Sequence, residues 1–152
     1  MSTVKQNAVQ LGLFEENGRL PLVVAGLIAS VKAAMNKAAA NSPLSRAQIV
    51  DRMNALAQDA GVRLTKGNAK SISEDTLAQW LNPLEHGHTP SLLAVNVFCL
   101  ALGNVSPLAA QLEAQGCSVM DAEDRRYRDY GRACVKARAA AKQKRKFEEE
   151  IS

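Results

Sequence analysis

The sequence predicts an all-α protein. Apolar residues recur at spacings of three and four along most of the chain, side chains suited to helix capping precede those stretches, and Pro and Gly sit where helices begin and end. A chain of 152 residues with 47% apolar composition can bury one core of ordinary size. The expected layout is an N-terminal arm over 1–19, a bundle of about five helices over 20–117, and a long basic helical extension over 118–152.

Residues 1–19 are polar and broken by Gly12 and Gly18, with a small apolar cluster at Leu11, Leu13 and Phe14. They read as an arm that packs a few side chains. Pro21 suits a first helical turn, where its missing N–H costs nothing, and an Ala-rich helix is expected from there to about Ala40. Val24, Leu27, Ile28, Val31 and Met35 form its apolar face. Asn41, Ser42 and Pro43 end it.

A second helix is announced by Ser45 and, three residues on, Gln48. Each side chain of such a capping box satisfies the other residue's free backbone N–H. Ile49, Met53, Leu56 and Ala60 fall on one stripe with Val50 and Ala57 beside it, and Gly61 closes the helix. From Val62 to Ser71 the chain carries Arg63, Lys66 and Lys70 around Gly67 and Asn68, an exposed basic loop or hairpin and a first candidate for phosphate contact.

The third helix should start at Ser73 as N-cap, with Ile72 packing on Leu77 as a hydrophobic staple. Leu77, Trp80 and Leu81 then face inward, leaving Glu74, Asp75, Ala78, Gln79 and Asn82 outside, until Pro83 stops the helix. Trp80 reads as a core anchor. Pro90 opens a fourth helix carrying Leu92, Leu93, Val95, Val97, Phe98, Leu100 and Leu102, apolar almost all round and therefore expected at the centre of the core. Cys99 belongs to it as a small core residue. Gly103 ends that helix, and Ser106 with Pro107 opens a fifth to about Gln115.

From Val119 onward a long helix is expected, with only Gly131 against it. Tyr127, Tyr130, Cys134, Ala137 and Ala141 recur at the spacing of a coiled-coil seam, though most are small or polar-tipped. The helix can pair with a second copy or pack on its own domain. The formal net charge is only +4, yet ten of the 19 Lys and Arg lie between Arg125 and Lys146, against a single acid, Asp129. Such a block suits a solvated helix face or an anionic partner: nucleic acid, anionic lipid or an acidic protein surface. Lys142, Lys144, Arg145 and Lys146 are its candidate phosphate contacts.

The segments LSRAQIVDRM (Leu44–Met53), ISEDTLAQWLN (Ile72–Asn82) and TPSLLAVNVFCLALGN (Thr89–Asn104) resemble the second, third and fourth helices of the lambda-repressor-like, or Cro-type, helix-turn-helix DNA-binding domain. The resemblance covers roughly 70 to 90 residues and looks closest to regulators of Mu-like phages and prophages. It implies that the third helix is a recognition helix, with Ser73, Glu74, Asp75 and Gln79 facing bases and Arg46 contacting phosphate. A Gln can bind adenine through two hydrogen bonds in the major groove, and Glu or Asp can accept from cytosine. In that family a tight turn joins the second and third helices, whereas here residues 54–71 separate Met53 from Ile72. The second helix must therefore run on by nearly two turns before the basic loop.

Few competing chemistries are on offer. Cys99, Cys117 and Cys134 are odd in number, widely spaced and form no CxxC, so neither a disulfide framework nor a zinc ribbon is suggested. His86 and His88 have no nearby Cys and only Glu85 beside them, and read as a loop pair. Glu74 and Asp75 in a first turn favour the helix dipole. There is no P-loop, no HExxH and no Ser-His-Asp order. No secretory pattern opens the chain, and the apolar run from Leu20 to Val31 is about 12 residues, short of the roughly 20 that a crossing needs. The expectation is a cytoplasmic, non-enzymatic regulator that binds double-stranded DNA as a homodimer, with no cofactor, metal, membrane or small-molecule substrate. The alternative is a helical protein-interaction module of repressor-like fold that does not read DNA.

Overall fold

The computed structural model describes residues 3–152, with side chains from Pro21 onward. Every regular element among them is a helix: α1 (Thr3–Asn41), α2 (Arg46–Asp59), α3 (Glu74–Leu81), α4 (Leu92–Leu102), α5 (Ser106–Glu113) and α6 (Ala122–Ile151). They fall into two compact units, Met1–Cys117 with α1–α5 and Ser118–Ser152 with α6.

In the first unit α1 lies against α5, α3 and α4, α2 lies against α4 and α3, and α4 lies against α5. One core joins them. It takes Val31, Met35 and Ala38 from α1, Ile49, Val50, Met53 and Ala57 from α2, Leu77, Trp80 and Leu81 from α3, and Val95, Phe98 and Cys99 among others from α4. Met35, Met53, Leu77 and Phe98 are completely shielded from solvent. Burial pushes the Cys99 thiol pKa up, against a backbone hydrogen bond involving Leu108 that lowers it.

The caps form where the local sequence places them. Gln48 N–H donates to Ser45 Oγ at 3.2 Å and Ser45 N–H to Gln48 Oε1 at 2.9 Å. Gly61 takes φ +66°, letting Val62 N–H reach back to the Ala57 carbonyl at 2.9 Å and Gly61 N–H to that of Gln58 at 3.0 Å. This paired closure is a Schellman motif, which needs a residue able to adopt left-handed backbone. Gly103 ends α4 at φ +63°.

Four expectations need correction. Helix α1 begins at Thr3, so Pro21 lies inside it rather than in its first turn, and 3–20 belong to the same helix. Helix-favouring Lys, Gln, Leu and Glu residues outweigh the glycine punctuation there. The expected packing of Leu11, Leu13 and Phe14 lies outside the described side chains. Of the apolar face read on α1, Val31 and Met35 are buried while Val24 and Ile28 are exposed, because among the described side chains of α1 the core takes only Val31, Met35 and Ala38. On α2, Leu56 and Ala60 face solvent and Val50 and Ala57 take their place. Helix α4 is not buried all round: Leu92 and Leu100, eight residues apart, are 64% and 72% exposed along one outward stripe. Its start also shifts, since Ser91 is the N-cap, its Oγ accepting from Ala94 N–H at 3.1 Å, and Pro90 is buried just before it.

Pro21–Asn41 is long and apolar enough to cross a membrane by length and composition alone. Its second half is occupied otherwise. Val31, Lys32, Met35 and Ala38 are packed into the domain, and Lys32 is the buried charged side chain among the described residues.

In the second unit α6 starts on another capping box, Asp124 N–H donating to Asp121 Oδ1 at 2.8 Å and Asp121 N–H to Asp124 Oδ2 at 3.3 Å. Glu123 and Asp124 in the first turn complement the helix dipole. No residue of α6 is buried.

Candidate nucleic-acid interface

Helix α3 is eight residues long, too short to persist alone, so its position depends on what holds each end. At its start Ser73 Oγ accepts from Thr76 N–H at 3.2 Å. Ile72 and Leu77 are both buried, as a staple requires. The link from α2 is pinned from both directions. Leu64 is buried in its middle, and the Asn54 carboxamide pairs with the Ile72 backbone, donating to its carbonyl at 3.0 Å and accepting from its N–H at 2.9 Å. An amide side chain there does the work of a strand partner. It returns the long connection to α2, so the extra residues are absorbed without displacing α3 from the core.

The trailing end of α3 is held by Lys32. Its ammonium donates to the Gln79 carbonyl at 3.2 Å, to the Glu85 carbonyl, and to Glu85 Oε2 at 3.2 Å. A cation at the C-terminus of a helix meets the carbonyls that have no intrahelical partner. Glu85 is in turn saturated: Gly87 N–H reaches Oε1 at 2.7 Å, His88 N–H reaches Oε2 at 2.9 Å, and His88 Nδ1 lies 3.1 Å from Oε1. Partial burial raises the Glu85 pKa, but the hydrogen bonds from the His88 ring, from the Gly87 and His88 backbones and from Lys32 outweigh it and hold the carboxyl at about 2. This latch ties α1, the end of α3 and the loop before α4 together. Nothing in the capping pattern announces it. The available signal is a lysine on the apolar stripe of α1, three residues before Met35 and four after Ile28.

So held, α3 forms one wall of an open cleft of about 880 Å³. Thr76 and Gln79 supply that wall, Arg63, Thr65 and Lys66 of the link supply a second, and His88, Thr89 and Ser91 at the start of α4 a third, with Leu64 and Trp80 beneath. Gln79, Arg63 and Lys66 are thus brought together. Glu74 and Asp75 are exposed on the first turn of α3, and among the described residues neither forms an ion pair. Ser73 is exposed as well, but its hydroxyl is committed to the cap and lies 3.1 Å from Thr76 Oγ1. Lys70 lines a separate hollow of about 400 Å³ with Asn54, Gln58 and Arg63. Arg63 borders both. Arg46 is exposed at the first position of α2 and lines neither hollow.

In the second unit Lys142, Arg145 and Lys146 share one side of α6 with Arg138, and Lys144 pairs with Glu148 at 3.5 Å. Among the described residues no group of three or more His, Cys, Asp or Glu is placed to hold a metal ion. Comparison with family models, with curated proteins and with solved structures finds no match to this chain.

Proposed function

We propose that this protein is a sequence-specific double-stranded DNA-binding transcriptional regulator of the lambda-repressor-like class, of phage or prophage type, working in the cytoplasm as a homodimer. The observation that carries this reading is the cleft in which α3, through the half-buried Gln79, meets Arg63 and Lys66, two cations that form no ion pair among the described residues. A reading helix needs side chains that offer a base-edge pattern, and beside them cations to fix its register on the backbone. Gln79 offers a donor and an acceptor at once, suited to adenine. Asp75 and Glu74 at the tip accept from cytosine amino groups, while Arg46 and Lys70 extend the phosphate contacts on either side.

A short recognition helix reads only a few base pairs, and pairing two copies on a two-fold site supplies the remaining specificity. The basic block of α6 adds affinity that is indifferent to sequence, through counterion release. The chemistry is recognition alone, with no cofactor, metal or small-molecule substrate.

Binding of the full chain to a mixed pool of duplexes at two salt concentrations tests the reading. Affinity is expected to fall steeply with salt. Gln79→Ala is expected to relax sequence preference, whereas Lys66→Ala weakens all sequences alike and flattens the salt slope by about one. Absence of binding at low salt overturns it in favour of the second reading, a protein-interaction module of repressor-like fold. That reading draws on Glu74 and Asp75, two exposed acids at the helix tip that form no ion pair among the described residues, which suit a basic protein surface better than a phosphate wall.

A further inference from the structure

We propose that the cleft between the link and the start of α4 is a phosphate-binding site, built by two segments separated in sequence. The inference deepens the DNA-binding reading and rests on it for the source of the phosphate. Its first support is charge. Among the described residues no Asp or Glu lines the cleft, and Arg63 and Lys66 form no ion pair. The nearest acid of the α3–α4 loop, Glu85, is already engaged by Lys32 and His88. A cleft lined by two cations and, among the described residues, by no acid attracts an anion.

The second support is donor geometry. Besides the cations, Thr89 and Ser91 line the cleft. The Ser91 oxygen accepts from Ala94 N–H, which leaves its proton free to donate, and Thr89 adds a second hydroxyl beside it. Thr65 adds a hydroxyl from the cationic side. Donors contributed by two separate segments around one cleft suit a tetrahedral oxyanion, whose oxygens point in several directions, better than a planar carboxylate met by one guanidinium fork. The floor of Leu64 and Trp80 removes water from one side and strengthens each contact. A phosphodiester of the duplex and a free phosphate share this chemistry.

The test is a residue-resolved titration of the full-length protein with inorganic pyrophosphate, read by amide NMR shifts, paired with duplex binding. Arg63, Lys66 and Thr89 are exposed, so Arg63→Ala/Lys66→Ala and Thr89→Glu alter the cleft without touching the core. Pyrophosphate is expected to shift Thr65, His88, Thr89 and Ser91, with at least tenfold weaker binding there in both variants. If duplex DNA displaces it and the double variant loses about two units of salt slope, the site stands and its ligand is the backbone. If the same shifts occur but no duplex binds, the site stands with a free phosphate as ligand and the DNA reading falls. Shifts confined to α6, with duplex affinity unchanged in Thr89→Glu, overturn the site and leave the DNA reading intact. Neither cleft shifts nor duplex binding overturns both.

Discussion

The two ends of α3 are fixed by different physics. The leading end uses neutral groups: the Ser73 cap, the Ile72–Leu77 staple and the Asn54 carboxamide on the Ile72 backbone. The trailing end uses a fully buried lysine whose partners are two carbonyls and one carboxylate. A neutral hydrogen bond exchanged for one with water contributes little net, so the leading end can lose one contact at modest cost. A buried ammonium has no such margin, because each of its donors must be satisfied within the protein. The end of the helix that carries Gln79 is therefore the one held by the less forgiving arrangement.

Substitutions at the two ends should separate these mechanisms. The largest effect is expected for Lys32→Ala, which removes the side-chain stem from the core and the ammonium donor from the Gln79 and Glu85 carbonyls, leaving Gln79 only its 3.4 Å bond from Asn82 N–H, at a cost on the order of 3 kcal/mol or more. Lys32→Met keeps most of the volume and loses only the donor, so urea midpoints for the two variants should differ. Equal midpoints would mean that packing of the stem contributes nothing.

At the other end Asn54→Ala leaves the Ile72 N–H and carbonyl without their partner, for a loss of about 1–3 kcal/mol. Faster hydrogen exchange in the link than in α4 would accompany it. Ser73→Ala removes one cap and should cost about 1 kcal/mol in a thermal melt. A loss matching Lys32→Ala would erase the contrast between the two ends.

The last distinction lies in pH. The Glu85 carboxyl is held at about 2 against an ordinary 4.5, a folded-state pKa below the unfolded one. Its contribution to stability is thus complete above pH 4.5 and is lost as the pH falls from there through about 2. Glu85→Gln should flatten the acid limb of the stability profile in that window, and Ser73→Ala should leave its shape unchanged. An unaltered acid limb in Glu85→Gln would show that the trailing end does not depend on the charge.

Much of this architecture was legible in the sequence because its signals are local. Ser45 with Gln48, Ser73 as an N-cap, and the glycines at 61 and 103 act on backbone groups within about one helical turn of themselves, so reading neighbours suffices. Leu77, Trp80 and Leu81 were equally legible, since an eight-residue helix with three large apolar residues on one side has little choice of face. The outward placement of Leu56, Leu92 and Leu100 was not, because periodicity gives a stripe without saying how far neighbouring helices extend along it. Of the candidate interface, Gln79, Arg63 and Lys66 were identified one by one, but their convergence with His88, Thr89 and Ser91 is a tertiary fact.

The amino-acid order alone determined where each of α2 to α4 stops, because those outcomes depend on Gly61, Pro83 and Gly103 and the backbone groups within a few residues of them. Tertiary structure decided that a lysine on the apolar stripe of α1 grips a carbonyl 47 positions away, and that the link folds back to face the start of α4 across a cleft. Both require segments remote in the chain to meet, and it is the burial of apolar surface around Phe98, Met53 and Met35 that brings them together.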